Sequence, residues 1–545
     1  MKKTLTLLLI VAFSFVASAQ APSWAWATAA AGTQIDQGMA VAVDNNGNTA
    51  IAGQFHSPSL SFGSTVLSGL GGYDIFVARY NSSGQVLWAV SGGSTIDEYV
   101  SDIAISPNGN ILVAGQMLGA SMVIDTITLN NSYGGSAAFC ICLDTTGHPL
   151  WARVSQGPNN EQGLGIACDN AGNIYQTGHF MGDSVMFGTE KLYNMPGLHN
   201  PQIYTVKYDA SGQVLWARSA GGTGADQGSS LGIDDAGNVY MAGYFTSPTF
   251  NFGTSTLTNA GISNTDLTVL KYDSLGNELW GISEGGSKND LQPDIVVGND
   301  GIYLLATFGS DTLVFGMDTL FSQGSDDIFL ARYDTAGNRL WAMSGGGVNQ
   351  ERPFSLTRHG SEIYITARAI SDSIKWGSGY INTNVTGSAM FIAAIDTSGS
   401  NKWELVSSST GSMDALSICA DAAGNLYTTG VYYGTTTLGS TVLPAAVLGD
   451  FYLAKLVQSP AGMATLLSEH DLKLFPNPAN DQLCISAGFQ KENSDITICD
   501  LAGKILLKKI IQPGETCIPV SSLTAGMYFV RIRGELSYTG RFIKE

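Results

Sequence analysis

The chain has 545 residues, with 26 Lys and Arg against 45 Asp and Glu and a formal net charge of −19. That balance argues against nucleic acid and anionic lipid as partners, since both are held by basic surfaces. Sixty-six glycines, with 44% hydrophobic and 10% aromatic residues, fit a turn-rich all-β chain with a well-filled core and exclude a disordered one.

The chain opens MKKTLTLLLIVAFSFVASAQ: two lysines, an apolar run from Leu5 to Val16, then Ala17-Ser18-Ala19. This is the pattern of a secretory signal peptide over residues 1–19, cut after Ala19. No cysteine follows the cut, so no lipid anchor is expected. No later stretch reaches the roughly 18 to 20 apolar residues of a membrane-spanning helix, so no transmembrane segment is expected either.

From residue 20 to 457 the chain repeats itself. Tryptophans stand at Trp26, Trp88, Trp151, Trp216, Trp280, Trp341 and Trp403, at intervals of 61 to 65 residues. Each interval reads as four short strands. In the unit Tyr208–Phe245 and its continuation, the first two strands flank the turn Asp234–Asn238. Gly and Asn there tolerate a left-handed backbone, and the leading Asp accepts bonds from the turn's own amides. The same D-x-x-G-N turn recurs at Asp44–Asn48, Asp169–Asn173 and Asp421–Asn425. A second turn, such as Asp273–Gly276, leads into the fourth strand, which carries the tryptophan as a packing residue between units.

The ends are complementary. The series begins with a lone tryptophan strand, Trp24–Thr28, and stops at a third strand, Asp450–Leu456, with no tryptophan strand after it. Pairing the two closes a ring without an exposed edge. The expected fold is therefore all-β: a seven-bladed β-propeller closed by the N-terminal strand. The repeat resembles the bacterial SBBP-type β-propeller repeat over roughly residues 22–457, which implies the same blade architecture.

Connections of about twenty residues between second and third strands, with recurring pairs such as Phe62-Gly63, Phe187-Gly188, Phe252-Gly253 and Phe315-Gly316, are where binding loops are expected. Gly182–Pro201, with Lys191, Tyr193 and His199, departs furthest from the pattern. One acidic residue per unit follows its tryptophan by nine to eleven positions: Asp36, Asp97, Glu161, Asp226, Asp290, Glu351 and Asp414. Two roles fit this ring. At a channel mouth it attracts a cation or a basic ligand; alternatively each acid caps its own loop by accepting backbone amides.

Catalytic signals are lacking. The histidines, His56, His148, His179, His199, His359 and His470, show no metal-ligand spacing, and there is no nucleophile elbow or phosphate loop. No catalytic residue, metal or cofactor is expected. The function expected is binding or adhesion, with an extracellular protein or glycan as ligand. The alternative is a glycan-acting hydrolase or lyase with its site on the loop-rich face.

Residues 458–471 read as a linker, and residues 472–545 as a small Ig-like β-sandwich. The charge changes with the domain, from 15 Lys/Arg against 38 Asp/Glu over residues 20–471 to 9 against 7 afterwards. Cys140, Cys142, Cys168 and Cys419 read as small buried hydrophobes. Cys484, Cys499 and Cys517 share the last domain, where any pair of them is free to oxidise after export. The domain resembles the type A sorting domain of the type IX secretion system. The matching residues are Phe475-Pro476-Asn477-Pro478, the hairpin Asp500–Lys504, Leu523–Tyr528 with Gly526 and Tyr528, and the basic ending Arg541–Lys544. The resemblance implies that residues 472–545 engage the type IX machinery and that the protein leaves the cell or stays on its surface.

Overall fold

The computed structural model describes residues 22–30, 32–195, 197–261, 264–316, 318–377, 379–383, 387–407, 411–458, 474–485, 494–500, 505–511, 517–533 and 537–545. The expected signal peptide, residues 459–471 of the expected linker, and residues 501–504 of the Asp500–Lys504 hairpin lie outside these. The chain divides into two units, Met1–Gln458 and Ser459–Glu545. Among the described residues every element is a strand, and no helix is long and apolar enough to cross a membrane.

The first unit contains seven antiparallel four-stranded meanders among the described residues. The first sheet runs Asp36–Val43, Thr49–Phe55, Asp74–Tyr80 and Val86–Gly93. Those beginning at Glu98, Glu161, Asp226, Asp290 and Arg352 repeat it. The seventh is assembled from both ends of the unit: Met413–Ala420, Leu426–Gly434, Ala446–Val457 and then Ser23–Ala29, which pairs antiparallel with the third of these from Ser23↔Val457 to Ala29↔Tyr452. Each first strand touches the first strands of the neighbouring sheets in sequence, and that of the seventh touches that of the first.

The tryptophans explain the period. Trp88 Nε1 donates to Thr145 O (2.9 Å), Trp151 to Ala210 O (3.0 Å) and Trp341 to Thr397 O (2.9 Å), in each case a turn of the following sheet. The indole lies flat on the glycine of that turn. A Cβ at Gly147 would come within 2.8 Å of the Trp88 ring, and one at Gly212 within 2.6 Å of Trp151. Trp26, on the N-terminal strand, repeats the arrangement on the first sheet, donating to Ser82 O (3.2 Å) and covering Gly84. The D-x-x-G-N turns form as the sequence predicts: Asp44 Oδ1 accepts the amides of Asn46 and Asn48 at 2.9 Å, and Gly47 has φ 77°.

The long connections differ from expectation. Each holds a short hairpin, such as Ser59–Phe62 with Thr65–Ser68, rather than an open loop. Hairpins of later sheets reach the outer strand of the sheet before, through Ile124↔Gly92, Gln156↔Met186, Gly286↔Leu313 and Gly346↔Lys375. They cover edges that would otherwise present free backbone groups. The Phe of each Phe-Gly pair turns inward: Phe62, Phe187, Phe252 and Phe315 are buried, and Phe62 packs on Phe76 and on Phe451 of the seventh sheet. In the divergent third unit, Leu192 is buried, Lys191 Nζ sits 5.0 Å over the Tyr193 ring, and His199 Nδ1 is 3.7 Å from Asp183.

The second unit has a three-stranded sheet (Leu474–Phe475, Gln482–Ile485, Cys517–Pro519) and a four-stranded one (Ile505–Ile511, Ser494–Cys499, Gly526–Arg533, Ser537–Lys544). Leu483, Ile496, Ile498, Ile518, Val530 and Phe542 form its core. Register selects the disulfide: Cys484 and Cys517 face each other across a strand pair and are bonded.

Candidate binding face

The first strands of all seven sheets begin on one face, and the acidic residues stand there. They are not a charged rim. Asp36, Glu161, Asp226, Asp290 and Glu351 are completely buried. Asp226 accepts the amides of Thr246 and Ser247 (both 3.2 Å) on Oδ1, and Ser247 Oγ (2.6 Å) and Gly222 N (2.7 Å) on Oδ2. Asp36 takes His56 N, Ser57 N and Ser57 Oγ in the same way, and Asp290 takes Gly309 N, Ser310 N, Ser310 Oγ and Gly286 N. Glu351 accepts Ser371 N (2.9 Å) and Gly347 N (2.7 Å). Asp36, Asp226, Asp290 and Glu351 each tie the start of their sheet to the loop leaving its second strand, and their lone pairs are spent on that.

Two of the seven residues occupy other places. In the second sheet Glu98, not Asp97, holds the buried position: Glu98↔Met117 repeats Asp36↔Phe55, and Glu98 accepts Ser94 N and Ser94 Oγ. Asp97 accepts Tyr73 N (2.9 Å) and Tyr99 Oη–H (3.0 Å) instead. In the seventh sheet Met413 has that register, and Asp414, one residue on, is paired by the guanidinium of Arg368. A shift of one residue sends a strand side chain to the opposite face, and distance from a tryptophan does not resolve it.

Burial governs protonation here. It pushes Glu98 up to about 7, Glu161 to about 8 and Asp290 to about 6, and raises Asp36 and Asp226 against the opposing effect of their donated bonds. Glu161 stands out: Ser155 Oγ is 3.4 Å from Oε2, and Oε1 has no partner among the described residues. Deeper along the first strands, a second repeating position stitches sheet to sheet. Asp102 Oδ2 accepts Ile166 N (2.8 Å), Asp294 Oδ2 accepts Leu356 N (2.8 Å), and Ser417 Oγ of the seventh sheet accepts Val41 N of the first (3.1 Å).

The position after each buried acid breaks the repeat. It is Gln37, Gln162 and Gln227 in three sheets, but Tyr99, Leu291 and Arg352 in others. Arg352 Nε donates to Gln292 Oε1 (2.6 Å), and Gln292 has a left-handed backbone, φ 56°. Arg368, bound to Asp414, also lies 5.5 Å over Phe354, and Tyr433 is within its electrostatic reach. Tyr433 also acts on Tyr73, whose hydroxyl is raised by burial and then by Asp97, Asp36 and Tyr433. Tyr73 stacks on His56 (centroids 5.0 Å apart, planes at 29°) and contacts Tyr99 at 5.7 Å. Arg352, Arg368, Tyr433, Tyr73, His56 and Tyr99 thus follow one another across the sixth, seventh, first and second sheets, all half-exposed. Sequence reasoning missed them. The signal was available in the residue after each acid, once the units are aligned on the buried carboxylate.

His179, on the same face, is buried with its imidazole pushed down to about 4 by desolvation, so it is neutral. Among the described residues no group of three His, Cys, Asp or Glu side chains is placed to hold a metal ion.

In the second unit, Asn477 joins first and last strands: its Oδ1 accepts Ile543 N (2.8 Å), and Ala479 N donates to Ile543 O (2.7 Å). Phe475, Pro476 and Pro478 beside it are exposed. Tyr528 is buried with its hydroxyl on Thr524 O (2.6 Å), and Gly526 pairs with Lys544.

An exported chain built from propeller repeats is the class that these features define. The comparisons agree: residues 215–244 match the family described as beta-propeller repeat, the SBBP type, and residues 473–545 match the secretion system C-terminal sorting domain. The chain carries a type IX sorting domain, which directs it to the cell surface or the extracellular space and implies contact with the type IX machinery. It is similar to the uncharacterized WD repeat-containing protein L264 of Acanthamoeba polyphaga mimivirus, 24% identical over 54% of this chain and 26% of that protein. It is also similar to the regulatory protein FlaEY of Caulobacter vibrioides, 25% identical over 33% of this chain and 19% of that one. The chain therefore spans about a quarter of the first of these curated relatives and about a fifth of the second. Among solved structures it is similar to a PL25 ulvan lyase (11% identity, 74% of this chain and 93% of that one, TM-score 0.38). It is similar too to a GH43 endo-arabinanase from Bacillus licheniformis (15% identity, 56% and 96%, TM-score 0.26). At these scores the likeness says nothing of ligand or reaction.

Proposed function

We propose that the seven sheets are the blades of a closed β-propeller, with Ser23–Ala29 as the outer strand of the seventh, and that the ring is a non-catalytic binding scaffold for an extracellular protein or glycan. Closure is supported by the Trp26–Gly84 contact, which repeats at the join between seventh and first sheets what covalently consecutive sheets do elsewhere. Residues 1–19 direct the first export step and are removed. The second unit is an Ig-like sandwich that serves as the address for the next.

One observation carries the binding function: the residues that break the repeat gather on the face where the first strands begin. A packing requirement recurs in every blade, whereas a recognition site need occur only once. The buried acids act as loop caps in this scheme, and a calcium titration that yields no heat at millimolar concentration agrees with that role. The test of function is a binding screen of the full chain against glycans and surface proteins, beside a hydrolase and lyase screen on the same glycans. Turnover of any of them replaces the scaffold with the enzyme alternative.

A further inference from the structure

We propose that the crescent formed by Arg352, Arg368, Tyr433, Tyr73, His56 and Tyr99 binds an acidic saccharide, a chain bearing carboxylate or sulfate groups on its sugar rings. The assignment rests on the binding role above and names its ligand class. Three features of the crescent point to that chemistry.

The first is the cation. Residues 20–471 carry 15 basic against 38 acidic residues, yet Arg352 and Arg368 share one half-exposed site and repel each other. Arg368 is neutralised by Asp414. Arg352 forms no ion pair among the described residues: its Nε bonds a neutral Gln292 carbonyl, and Asp414 and Asp326 act on it only through space. A planar guanidinium held by one edge offers the other to carboxylate or sulfate in bidentate form. Gln292 holds it from a left-handed backbone, φ 56°, at the β-bulge between Leu291 and Asp294, which aims its side chain away from the regular strand.

The second is the platform. The His56–Tyr73 stack and Tyr99 present ring faces and edges together, a surface against which the apolar faces of pyranose rings lie well. The third is a pair of amides on the first sheet, the sheet that carries His56 and Tyr73. Gln54 Nε2 donates to Gln37 Oε1 (3.0 Å), while Gln54 Oε1, on a side chain more than nine-tenths buried, has no partner among the described residues. A buried acceptor without a donor is costly, and a ligand hydroxyl supplies one. A polyglutamate peptide would use the guanidinium but has no pyranose face to lay on the rings.

The test is calorimetric titration of the full chain with a galacturonate hexamer, a sulfated galactan hexamer, cellohexaose and hexaglutamate. At least one acidic hexasaccharide should bind ten-fold or more tightly than cellohexaose and hexaglutamate. Arg352→Gln and Tyr73→Ala should each weaken it at least ten-fold, and Gln292→Ala, on an exposed side chain, several-fold. Circular dichroism matching the parent shows that each variant is folded. Equal affinity for acidic and neutral hexamers, or for hexaglutamate, overturns the assignment, as does binding unmoved by Arg352→Gln and Gln292→Ala. A protein ligand held equally by all three variants sinks the saccharide site and leaves the scaffold. Shortened galacturonate or galactan products would do the reverse, keeping the site and removing the non-catalytic role.

Discussion

Ring closure can be tested at one glycine. Gly84 has φ 80°, and a Cβ there would lie 2.8 Å from the Trp26 ring. Gly84→Ala therefore meets two penalties. The left-handed backbone costs an L-residue about 1 to 2 kcal/mol. Displacing a packed indole by a few tenths of an ångström adds about 1 kcal/mol. The first penalty belongs to the turn alone, the second only to a molecule in which Ser23–Ala29 lies against the first sheet. Trp26→Ala, removing a half-buried indole and its bond to Ser82, should cost about 2 kcal/mol. In the double variant the clash is gone, so Gly84→Ala becomes cheaper by about 1 kcal/mol, a coupling large enough to measure. With roughly 430 residues and an unfolding entropy of about 2 cal/mol/K per residue, each 2 kcal/mol corresponds to a midpoint shift of about 2 °C. Differential scanning calorimetry of parent, both single variants and the double variant supplies the cycle. Gly212→Ala, which meets the Trp151 ring at 2.6 Å between sheets joined by continuous chain, is the internal reference. Additive effects at Gly84 and Trp26, with coupling present for Gly212 and Trp151, would refute closure through the N-terminal strand.

Glu161 predicts a pH dependence. Burial raises its folded value to about 8 against 4.5 unfolded, so the folded state holds the extra proton and stability falls as pH rises between these values. The full difference is about 5 kcal/mol, an upper bound; Glu161→Gln should be near neutral at pH 4.5 and gain several degrees of midpoint over the parent at pH 8.5, and parallel profiles would remove the argument. The Cys484–Cys517 bond closes a separation of 33 residues and should contribute about 3 to 4 kcal/mol to the second unit; replacing both with Ser should lower the denaturant midpoint of that unit's transition, and a midpoint equal to the parent's would count against it. Removing residues 472–545 should leave the protein in the periplasm of a host with type IX secretion, read by fractionation and protease accessibility; a truncated chain found outside the cell would contradict the role of the tail.

Local chemistry was legible where one residue type answers one local need. The glycine in each D-x-x-G turn, the Asp that feeds the turn its acceptors, and the tryptophan period all follow from short-range rules, and Asp44, Gly47 and Trp88 behave accordingly. The Phe-Gly connections were misjudged because an exposed loop and an edge-covering hairpin share composition; only pairing such as Ile124↔Gly92 distinguishes them. Asp97 and Glu98 are adjacent carboxylates, and composition cannot say which one a strand turns inward. The crescent was illegible for another reason. Tyr73 and Tyr433 lie at opposite ends of the repeat array and come within electrostatic reach of each other because the seventh sheet is assembled from both ends of the unit. Cysteine pairing likewise needed the register that sets Cys484 opposite Cys517.

Repetition itself separates structure from recognition here. Where the same residue type recurs and its bonding groups are consumed, as with the four donors on Asp226 or on Asp290, nothing remains for a ligand, however acidic the sequence looks. Where the repeat fails, Leu291 and Met413 are apolar, but the other replacements are polar or aromatic and partnered. They are Arg352 held by Gln292 from its left-handed backbone, Arg368 locked to Asp414, and Tyr99 bonded to the displaced Asp97. Each of these brings a partner that positions it, and the cost in like-charge repulsion falls on the fold. Because packing residues recur in every sheet whereas these departures occur once each, the asymmetry of this face argues for a ligand more strongly than its charge does.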